Sequence, residues 1–214
     1  MFCFCKNLKI KKELKEFKEF KKTFKYEYKE IKEKNGIKFI GDDIVVDKDG
    51  NTVAETENWI NAGFKLHGAL PKVISNLFPY EFTFRGVKVK SIESIFQSLR
   101  FKDKKTQKLI FNLHGMPSNV VKVATDYNWK ETYMLYFQGK TFHRESKEFD
   151  DFIDEMYISA LQNPLYRGVL SKIDKQIIHS IGQESKKETL FTRYEFEFEL
   201  NCIVSFLKTK KENI

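Results

Sequence analysis

The segment from Ser75 to Lys102 holds the densest set of local structural signals in this chain. Two short apolar runs, residues 82–84 and 87–90, flank an Arg-Gly pair, which is typical of a β-hairpin with a tight turn. Ser91 then precedes apolar residues at helical spacing, and serine is a favoured helix N-cap. The segment therefore predicts a hairpin followed at once by a helix, as in a domain of the α+β class.

The polar side chains of that predicted helix share one face. Glu93 lies in the first turn, Gln97 lies one turn later, and Arg100 and Phe101 follow near the next turn. Because residues four apart on a helix point the same way, a ligand beside the helix could meet all of them. A glutamate in a first turn can also simply complement the helix dipole, so periodicity alone assigns Glu93 no catalytic role.

The sequence at 75–79, Ser-Asn-Leu-Phe-Pro, and the sequence at 91–101 resemble the NADAR or YbiA-like family. The positions that match the family's Ser-Asn pair, glutamate, glutamine and phenylalanine are Ser75, Asn76, Glu93, Gln97 and Phe101. Arg100 stands where the family usually has lysine. This exchange keeps the positive charge but replaces a point charge with a planar fork of donors.

The resemblance covers about residues 70–205 and is carried further by residues 126–129, 134–139, 179–182 and 188–192. One departure affects the chemistry. Other members carry a late aspartate and a Trp-Gly-x-Gly segment, whereas this chain has His-Ser-Ile-Gly at 179–182, without the tryptophan or the aspartate. The resemblance therefore implies one catalytic carboxylate, and a second one cannot be carried over to this chain.

The function that the resemblance implies is an N-glycosidase that hydrolyses ADP-ribose from modified guanine in nucleic acid. Glycosidic cleavage passes through an oxocarbenium-like centre, which Glu93 would stabilise while it orients the attacking water. Such hydrolysis needs no cofactor and no metal. Two alternatives are a glycosidase acting on riboflavin-pathway intermediates and a non-catalytic module that binds ADP-ribose or NAD.

The substrate-binding residues follow from the same resemblance. They are Ser75, Asn76, Phe78, Gln97, Arg100, Phe101, Lys102, Trp129, His179, Ser180 and Gly182. Phe78 and Trp129 are the candidates to stack on the leaving base. Arg100 and Lys102 are the candidates to bind the pyrophosphate.

Length and composition fit one compact domain with an appendage. Of 214 residues, 41% are hydrophobic and 15% are aromatic, so the chain has enough apolar side chains to build a core. We predict a basic helical extension over residues 1–35 and a catalytic domain over 36–214, mostly helical with small β-hairpins. No stretch is suited to span a membrane or to act as a signal peptide, which favours a cytoplasmic protein.

The cysteines and histidines give no metal-site pattern. The chain has three cysteines, Cys3, Cys5 and Cys202. Their odd number and their spacing are not those of a disulfide framework, so we predict reduced thiols. None of the four histidines stands at metal-ligand spacing from another. The sequence therefore predicts no metal site.

The most basic part of the chain runs from Lys6 to Lys34. It holds twelve lysines and six glutamates and so carries +6 of the net charge of +8. Apolar residues recur in it at three- and four-residue intervals, which predicts one amphipathic helix that ends at Asn35-Gly36. Its apolar stripe could dock on the domain or on a second copy, its lysines could contact nucleic acid, or it could lie on an anionic membrane surface. We predict an accessory arm that contacts nucleic acid.

Weaker signals predict the remaining elements. Residues 37–40, 44–47 and 52–55 predict short strands, and residues 56–74 a connector in which Trp59 packs in the core. The later elements are a helix over 104–113 capped by Asp103, a short helix from Pro117, a helix over 129–138 closed by Gly139, an amphipathic helix from Ser146 to Asn163-Pro164, a strand over 176–179 and a last helix from Thr192. The acidic residues of the amphipathic helix, Asp150, Asp151, Asp154 and Glu155, are predicted to form a solvated face.

Overall fold

The computed structural model describes residues 2–115 and 129–212, which form an α+β fold, as the sequence predicts. The chain divides into two compact units. The first unit comprises Met1–Lys22 and Asn76–Arg167, and the second comprises Thr23–Ser75 and Gly168–Ile214. Neither unit is a single continuous stretch of sequence.

Helices and small hairpins make up the first unit. Its elements are α1 (Phe2–Thr23), β5 (Phe82–Phe84), β6 (Val87–Val89), α3 (Ile92–Ser98), α4 (Lys104–Ile110), α5 (Trp129–Thr132), β7 (Met134–Phe137), β8 (Lys140–His143), α6 (Lys147–Ala160) and α7 (Pro164–Leu170), of which residues 164–167 fall in this unit. The second unit contains β1 (Ile31–Lys34), β2 (Ile37–Ile40), β3 (Asp43–Val46), β4 (Trp59–Asn61), α2 (Ala69–Val73), β9 (Gln176–Ile178) and α8 (Arg193–Glu212).

Aromatic side chains form the centre of the first unit. The rings of Phe84, Phe137 and Phe152 are fully or almost fully buried, and their centroids lie 5.0–5.2 Å apart. Such tilted and edge-to-face pairs stabilise a core beyond the burial of their area. Helix α6 supplies Phe152 and begins as predicted, because the Ser146 hydroxyl accepts a hydrogen bond from the Phe149 backbone N–H at 3.3 Å.

Helix α1 docks against α6 and α7 within the first unit. Phe17 is fully buried, Lys18 pairs with Asp151, and Lys21 pairs with Asp154. In a third ion pair α1 supplies the acid: Arg167 of α7 donates to both oxygens of Glu13 at 2.7 Å. Of the three roles considered for the basic segment, docking on the domain is therefore the one for which contacts are seen.

Two predictions about this region are wrong. The first is that all four acids of α6 form a solvated face, because Asp154 is buried against Lys21. The second is that one helix runs from Lys6 to Lys34, because α1 ends at Thr23 and residues 31–34 form a strand. From Phe24 to Lys29, half-buried and exposed side chains alternate, which is the period of extended chain and not of a helix.

Asn35 and Gly36 do not end a helix; they form the two-residue turn between β1 and β2. Both residues have positive φ, 53° and 74°, as this type of hairpin turn requires. Strands β1, β2 and β3 then form an antiparallel sheet. Residues 52–55, predicted as a further strand, make only isolated bridges at Thr52 and Glu55.

The predicted connector over residues 56–74 contains two elements of the second unit, β4 and α2. Strand β4 pairs with β9 in parallel, although the two are more than a hundred residues apart in sequence. Trp59, on β4, is buried with Ile40, Val45 and Ile178, which confirms its predicted packing role. A pairing so distant in sequence leaves no local turn signal, so the connector prediction missed it.

The predicted helix over 129–138 is wrong beyond Thr132. Residues 134–137 and 140–143 form an antiparallel hairpin, whose turn residues Gln138 and Gly139 have φ values of 49° and 89°. Buried Leu135, Phe137 and Phe142 alternate with more exposed neighbours, so the apolar residues follow the period of a strand. The other elements match more closely: α4 and β9 are only shorter than predicted.

The short helix predicted from Pro117, and Asp126 of the family resemblance, lie outside the described residues. Within the described parts of the chain, no helix is both long and apolar enough to cross a membrane. The same parts contain no group of three or more His, Cys, Asp or Glu residues placed to hold a metal ion.

The buried pair of Lys21 and Asp154 predicts a pH-dependent stability. Burial raises the pKa of Asp154, and the charge of Lys21 acts in the opposite direction. We expect Lys21→Met to reduce the free energy of unfolding by about 2 kcal/mol at neutral pH, because it leaves a buried carboxylate without its cation. Loss of Lys21 raises the folded-state pKa of Asp154 further, so the variant loses stability relative to the wild type as pH rises, and the deficit should be smaller near pH 4 than at pH 7.

Denaturant unfolding at both pH values measures this effect. Lys22→Met is the matched control, since Lys22 and its partner Glu19 are both largely exposed and their pair contributes about 0.5 kcal/mol or less. Equal losses in the two variants, or a deficit of Lys21→Met that does not change with pH, would contradict the prediction.

Candidate active site on helix α3

The hairpin and helix predicted from Ser75 to Lys102 are present. Arg85 and Gly86, with φ values of 46° and 81°, form the turn between β5 and β6. The Ser91 hydroxyl accepts a hydrogen bond from the Ser94 backbone N–H at 3.1 Å, so Ser91 is the N-cap of α3. This cap fixes where the helix begins and thereby places Glu93 in its first turn.

Glu93 is held by hydrogen bonds on two sides. Its backbone N–H donates to the backbone oxygen of Asn76 at 2.9 Å. Its carboxylate accepts a hydrogen bond from the side-chain amide of Gln97, one turn later on the same helix. The structure therefore brings together three predicted site residues, Asn76, Glu93 and Gln97. Glu93 stays partly exposed, whereas Gln97 is buried, so the carboxylate has a fixed support and an accessible side.

Tyr157, on α6, belongs to this cluster although the sequence indicated only a core position for it. Its hydroxyl donates to the side-chain oxygen of Asn76 at 2.9 Å, and its ring is fully buried. A tyrosine on an apolar helix face carries a polar group that needs a partner when it is buried, and this is the one signal that could have identified it. Tyr157 thus links α6 to the segment that leads into α3.

Two buried polar atoms of predicted site residues, one on α3 and one on α5, lack a hydrogen-bond partner among the described residues. One is the side-chain oxygen of Gln97, a residue only 4% exposed, and the other is the indole Nε1 of Trp129, which is 2% exposed. A buried polar group without a partner costs free energy. A ligand that donates to Gln97 would remove that cost and would lie beside the Glu93 carboxylate.

Aromatic and cationic groups adjoin the cluster. The guanidinium carbon of Arg100 lies 5.5 Å from the centroid of the Trp129 ring, as in a cation–π pair. Because Trp129 is buried, it offers little surface for a base to stack on. Phe78 is only partly buried, and its ring lies 4.7 Å from that of Tyr80. Phe78 is therefore the more accessible of the two predicted stacking residues.

Phe101 and Lys102 follow α3 directly. The backbone oxygen of Phe101 accepts a hydrogen bond of 2.6 Å from the side chain of Gln107, so this oxygen is engaged in holding the chain. Lys102 is exposed. Gln107 is a buried residue that the sequence did not single out, and it also donates to the backbone oxygen of Tyr136 at 2.8 Å.

The other predicted site residues belong to the second unit. Ser75 is buried, and its backbone N–H donates to the Lys72 oxygen at 3.2 Å. The Ser180 hydroxyl accepts a hydrogen bond of 2.6 Å from the Asn61 amide, so its predicted binding group already has a structural partner. Gly182 packs so closely on His179 that a Cβ atom there would lie 2.7 Å from the histidine ring. Any other residue at 182 would displace His179.

The ring of His179 is oriented by a hydrogen bond. Its Nδ1 lies 2.8 Å from the backbone oxygen of Ala62, which can only accept a hydrogen bond, so Nδ1 carries the proton. Burial lowers the pKa of His179, the hydrogen bond to Ala62 acts in the opposite direction, and the nearby charge of Arg193 lowers the pKa further. The ring rests on Phe196 with a centroid distance of 4.7 Å. His179 is thus suited to present a hydrogen-bond acceptor at Nε2.

A buried ion pair in the second unit supports the His179 segment. Arg193 donates to Glu197 at 2.7 Å, and both side chains are almost completely buried. Glu197 also accepts hydrogen bonds from the His179 backbone N–H at 2.7 Å and from the Tyr26 hydroxyl at 2.9 Å. Burial raises the pKa of Glu197, while Arg193 and these donors act in the opposite direction. With its donors in place, Glu197 is a structural carboxylate.

Comparison with known proteins gives one family and one relative. The sequence profile of the family described as "Bacteriophage protein GP30.3" matches residues 69–205, almost the range over which the resemblance was seen. A protein of Enterobacteria phage T4, described as "Uncharacterized 17.1 kDa protein in Gp30-rIII intergenic region", is 25% identical over 134 residues, which is 61% of this chain and 87% of the phage protein. No solved structure is matched.

Proposed function

The chain belongs to the family of bacteriophage protein GP30.3, and on that premise we propose that it is an N-glycosidase which removes ADP-ribose from modified guanine in nucleic acid. The observation that carries this proposal is the placement of Glu93. Its side chain is partly exposed, and its carboxylate accepts a hydrogen bond from the buried Gln97. The backbone N–H of Glu93 donates to the backbone oxygen of Asn76. Carboxylates supported in this way are preorganised for charge that develops during a reaction.

In the proposed reaction, Glu93 acts on the sugar carbon that bears the base. As the N-glycosidic bond breaks, positive charge develops at that carbon, and the carboxylate stabilises it. The same carboxylate orients a water molecule, whose hydroxyl joins the carbon while its proton goes to the departing base. Gln97 keeps Glu93 in position, and its amide oxygen, which has no partner among the described residues, would accept a hydrogen bond from a sugar hydroxyl.

The remaining groups of the first unit suit the rest of the substrate. Arg100 would bind the pyrophosphate with its fork of donors, assisted by the exposed Lys102. Phe78 offers a ring on which a base can stack. Tyr157 would act indirectly, because its hydroxyl binds the Asn76 side chain and not the ligand.

The direct test is release of product. The protein is incubated with an oligonucleotide that carries ADP-ribose on guanine, and free ADP-ribose is measured. We expect release, with unmodified guanine restored in the oligonucleotide. Tight binding of ADP-ribose without any release would reject the glycosidase and support the non-catalytic binding module, an alternative that the lack of a second family carboxylate at 179–182 favours.

We expect Arg100→Ala to reduce the affinity of the protein for ADP-ribose. A ligand that binds only the folded protein raises its melting temperature, and more so the tighter it binds, so ADP-ribose should stabilise the wild type much more than this variant. The measurement is the difference in melting temperature with and without ligand. Arg85→Ala is the control, because Arg85 pairs with Glu155 and is not part of the α3 cluster. Equal ligand shifts in Arg100→Ala and the wild type would remove Arg100 from the site.

A further inference from the structure

A basic groove of about 500 Å³ opens on the first unit, where α4 meets the hairpin of β5 and β6 and the turn between β7 and β8. Four lysines line it, Lys88, Lys104, Lys105 and Lys108, and we call it the lysine groove. No acidic residue from the described part of the chain lines it. Such a concentration of one charge raises the local concentration of anions.

The sequence of α4 itself brings the lysines together. Lys104 and Lys108 are four residues apart, so they share one face about 6 Å apart along the helix axis. The helix contains no acidic residue between its ends. Like charges at this spacing weaken a helix by roughly 0.2–0.5 kcal/mol, so the arrangement is unfavourable until an anion lies beside it.

The walls of the groove are fixed by hydrogen bonds. The buried side chain of Gln107 donates to the backbone oxygens of Phe101 and Tyr136, and its own oxygen accepts from the backbone and the side chain of Gln138 at 2.9 and 3.0 Å. Gly139 has a φ of 89°, and a Cβ atom there would lie 2.8 Å from the Lys104 side chain. The glycine therefore leaves room for the Lys104 side chain to lie across the turn.

Two carboxylates, Glu81 and Asp103, interact with groove lysines and offset only part of their charge. Glu81 pairs with Lys88 at 3.1 Å, but the Lys88 side chain is 80% exposed and the pair is worth little in water. Asp103 caps α4 and accepts from the Thr106 hydroxyl and backbone N–H at 2.7 Å; these bonds lower its pKa, and the charge of Lys105 lowers it further, so Asp103 offsets part of the charge of one groove lysine. In α1, by contrast, Lys18 and Lys21 are already paired with acids of α6.

We propose that the lysine groove binds the sugar-phosphate backbone of a nucleic acid. The inference rests on the proposed function for the identity of its partner and adds to it a surface for the strand that carries the modified base. Lysines supply the sequence-independent part of nucleic-acid binding, because each phosphate they neutralise releases counterions. Asn112 and Gln138 line the groove as well; each amide nitrogen already donates once, to the Lys108 backbone oxygen and to Gln107, and has a second hydrogen of the kind that contacts phosphate oxygens.

The test measures binding of an unmodified single-stranded DNA oligonucleotide as a function of salt concentration. One variant replaces Lys104, Lys105 and Lys108 with alanine, and its partner replaces them with glutamine, which keeps much of the aliphatic stem. The control replaces Lys11, Lys12 and Lys15, three exposed lysines of α1, with alanine and removes the same charge. Loss of three phosphate contacts should reduce the slope of log affinity against log salt by about 2.

We expect both groove variants to lose at least about tenfold in affinity at low salt and to show the shallower slope, while the α1 control stays close to the wild type. Three results would overturn the inference: an equal or larger effect of the α1 control, no binding by the wild type, or competition by poly-L-glutamate as strong as that by unlabelled DNA.

The outcomes also separate this inference from the proposed function. Binding through the lysine groove without release of ADP-ribose rejects the glycosidase and supports the groove. Release of ADP-ribose from the modified oligonucleotide, with unchanged binding by both groove variants, supports the glycosidase and rejects the groove.

Discussion

The Glu93→Gln variant should lose on the order of a hundredfold or more in the rate of ADP-ribose release, while it keeps its fold and its affinity for ADP-ribose. Glutamine has almost the same shape as glutamate and can still hydrogen-bond to Gln97, whose amide can turn to offer either its oxygen or its nitrogen. The substitution therefore removes the negative charge and little else. Without that charge, the oxocarbenium-like centre has no counterion and the water has no oriented acceptor.

Rates of release under single-turnover conditions measure the effect, and melting temperatures with and without ADP-ribose check fold and binding. Glu145→Gln is the control, since Glu145 is an exposed glutamate of the same unit and should be dispensable. Full activity of Glu93→Gln would end the catalytic assignment. A loss of ligand binding equal to the loss of rate would make Glu93 a binding residue.

Phe17→Ala should reduce the free energy of unfolding by about 3–5 kcal/mol. Phe17 is fully buried where α1 docks, so its removal leaves a cavity beneath the helix that also carries Lys18 and Lys21. For a chain of this length, a loss of that size lowers the melting temperature on the order of 10 °C. An accessory arm that only contacted nucleic acid would give no such loss.

Denaturant unfolding of Phe17→Ala and of Leu8→Ala decides between the two roles. Leu8 lies on the same helix but is 53% exposed, so its replacement should change stability by about 0.5 kcal/mol or less. If both variants unfold like the wild type, α1 does not stabilise the first unit. In that case the basic charge of α1 would again be its principal feature.

Local signals predicted the parts of the fold that depend on neighbouring residues. Caps at Ser91, Asp103 and Ser146 are all present, because a side chain that bonds to a backbone N–H three residues later is encoded within a single turn. Thr192 and Glu195 likewise form the expected reciprocal bonds, at 2.8 and 3.2 Å. The α+β class followed from these elements.

The errors arose in segments whose apolar residues fit both the spacing of a helix and that of a strand, so that tertiary packing determines which of the two forms. The aromatic residues after Thr23 match helical spacing and also alternate, and only their packing shows that the chain is extended there. Residues 134–143 contain good helix formers, but two residues with positive φ, Gln138 and Gly139, turn them into a hairpin. Short apolar runs of this kind do not distinguish the two structures.

The α3 cluster was only partly predictable. Glu93 and Gln97 share a helix, so their hydrogen bond follows from spacing, and Asn76 precedes the hairpin at a distance that the chain geometry allows. Tyr157 lies 81 residues after its partner Asn76 in the chain. Gln107 joins segments that no local pattern connects. Long-range polar partners of this kind become visible only once the fold brings them together.

The docking of α1 also bears on how the protein is made. Lys18 and its partner Asp151 are 133 residues apart in the chain. At a synthesis rate of roughly 5–20 residues per second, α1 leaves the ribosome on the order of ten seconds before the helix that covers its apolar face. During that interval the nascent chain exposes Phe17 together with a dense set of lysines. The charges therefore help to keep an uncovered segment in solution until its partner has been synthesised.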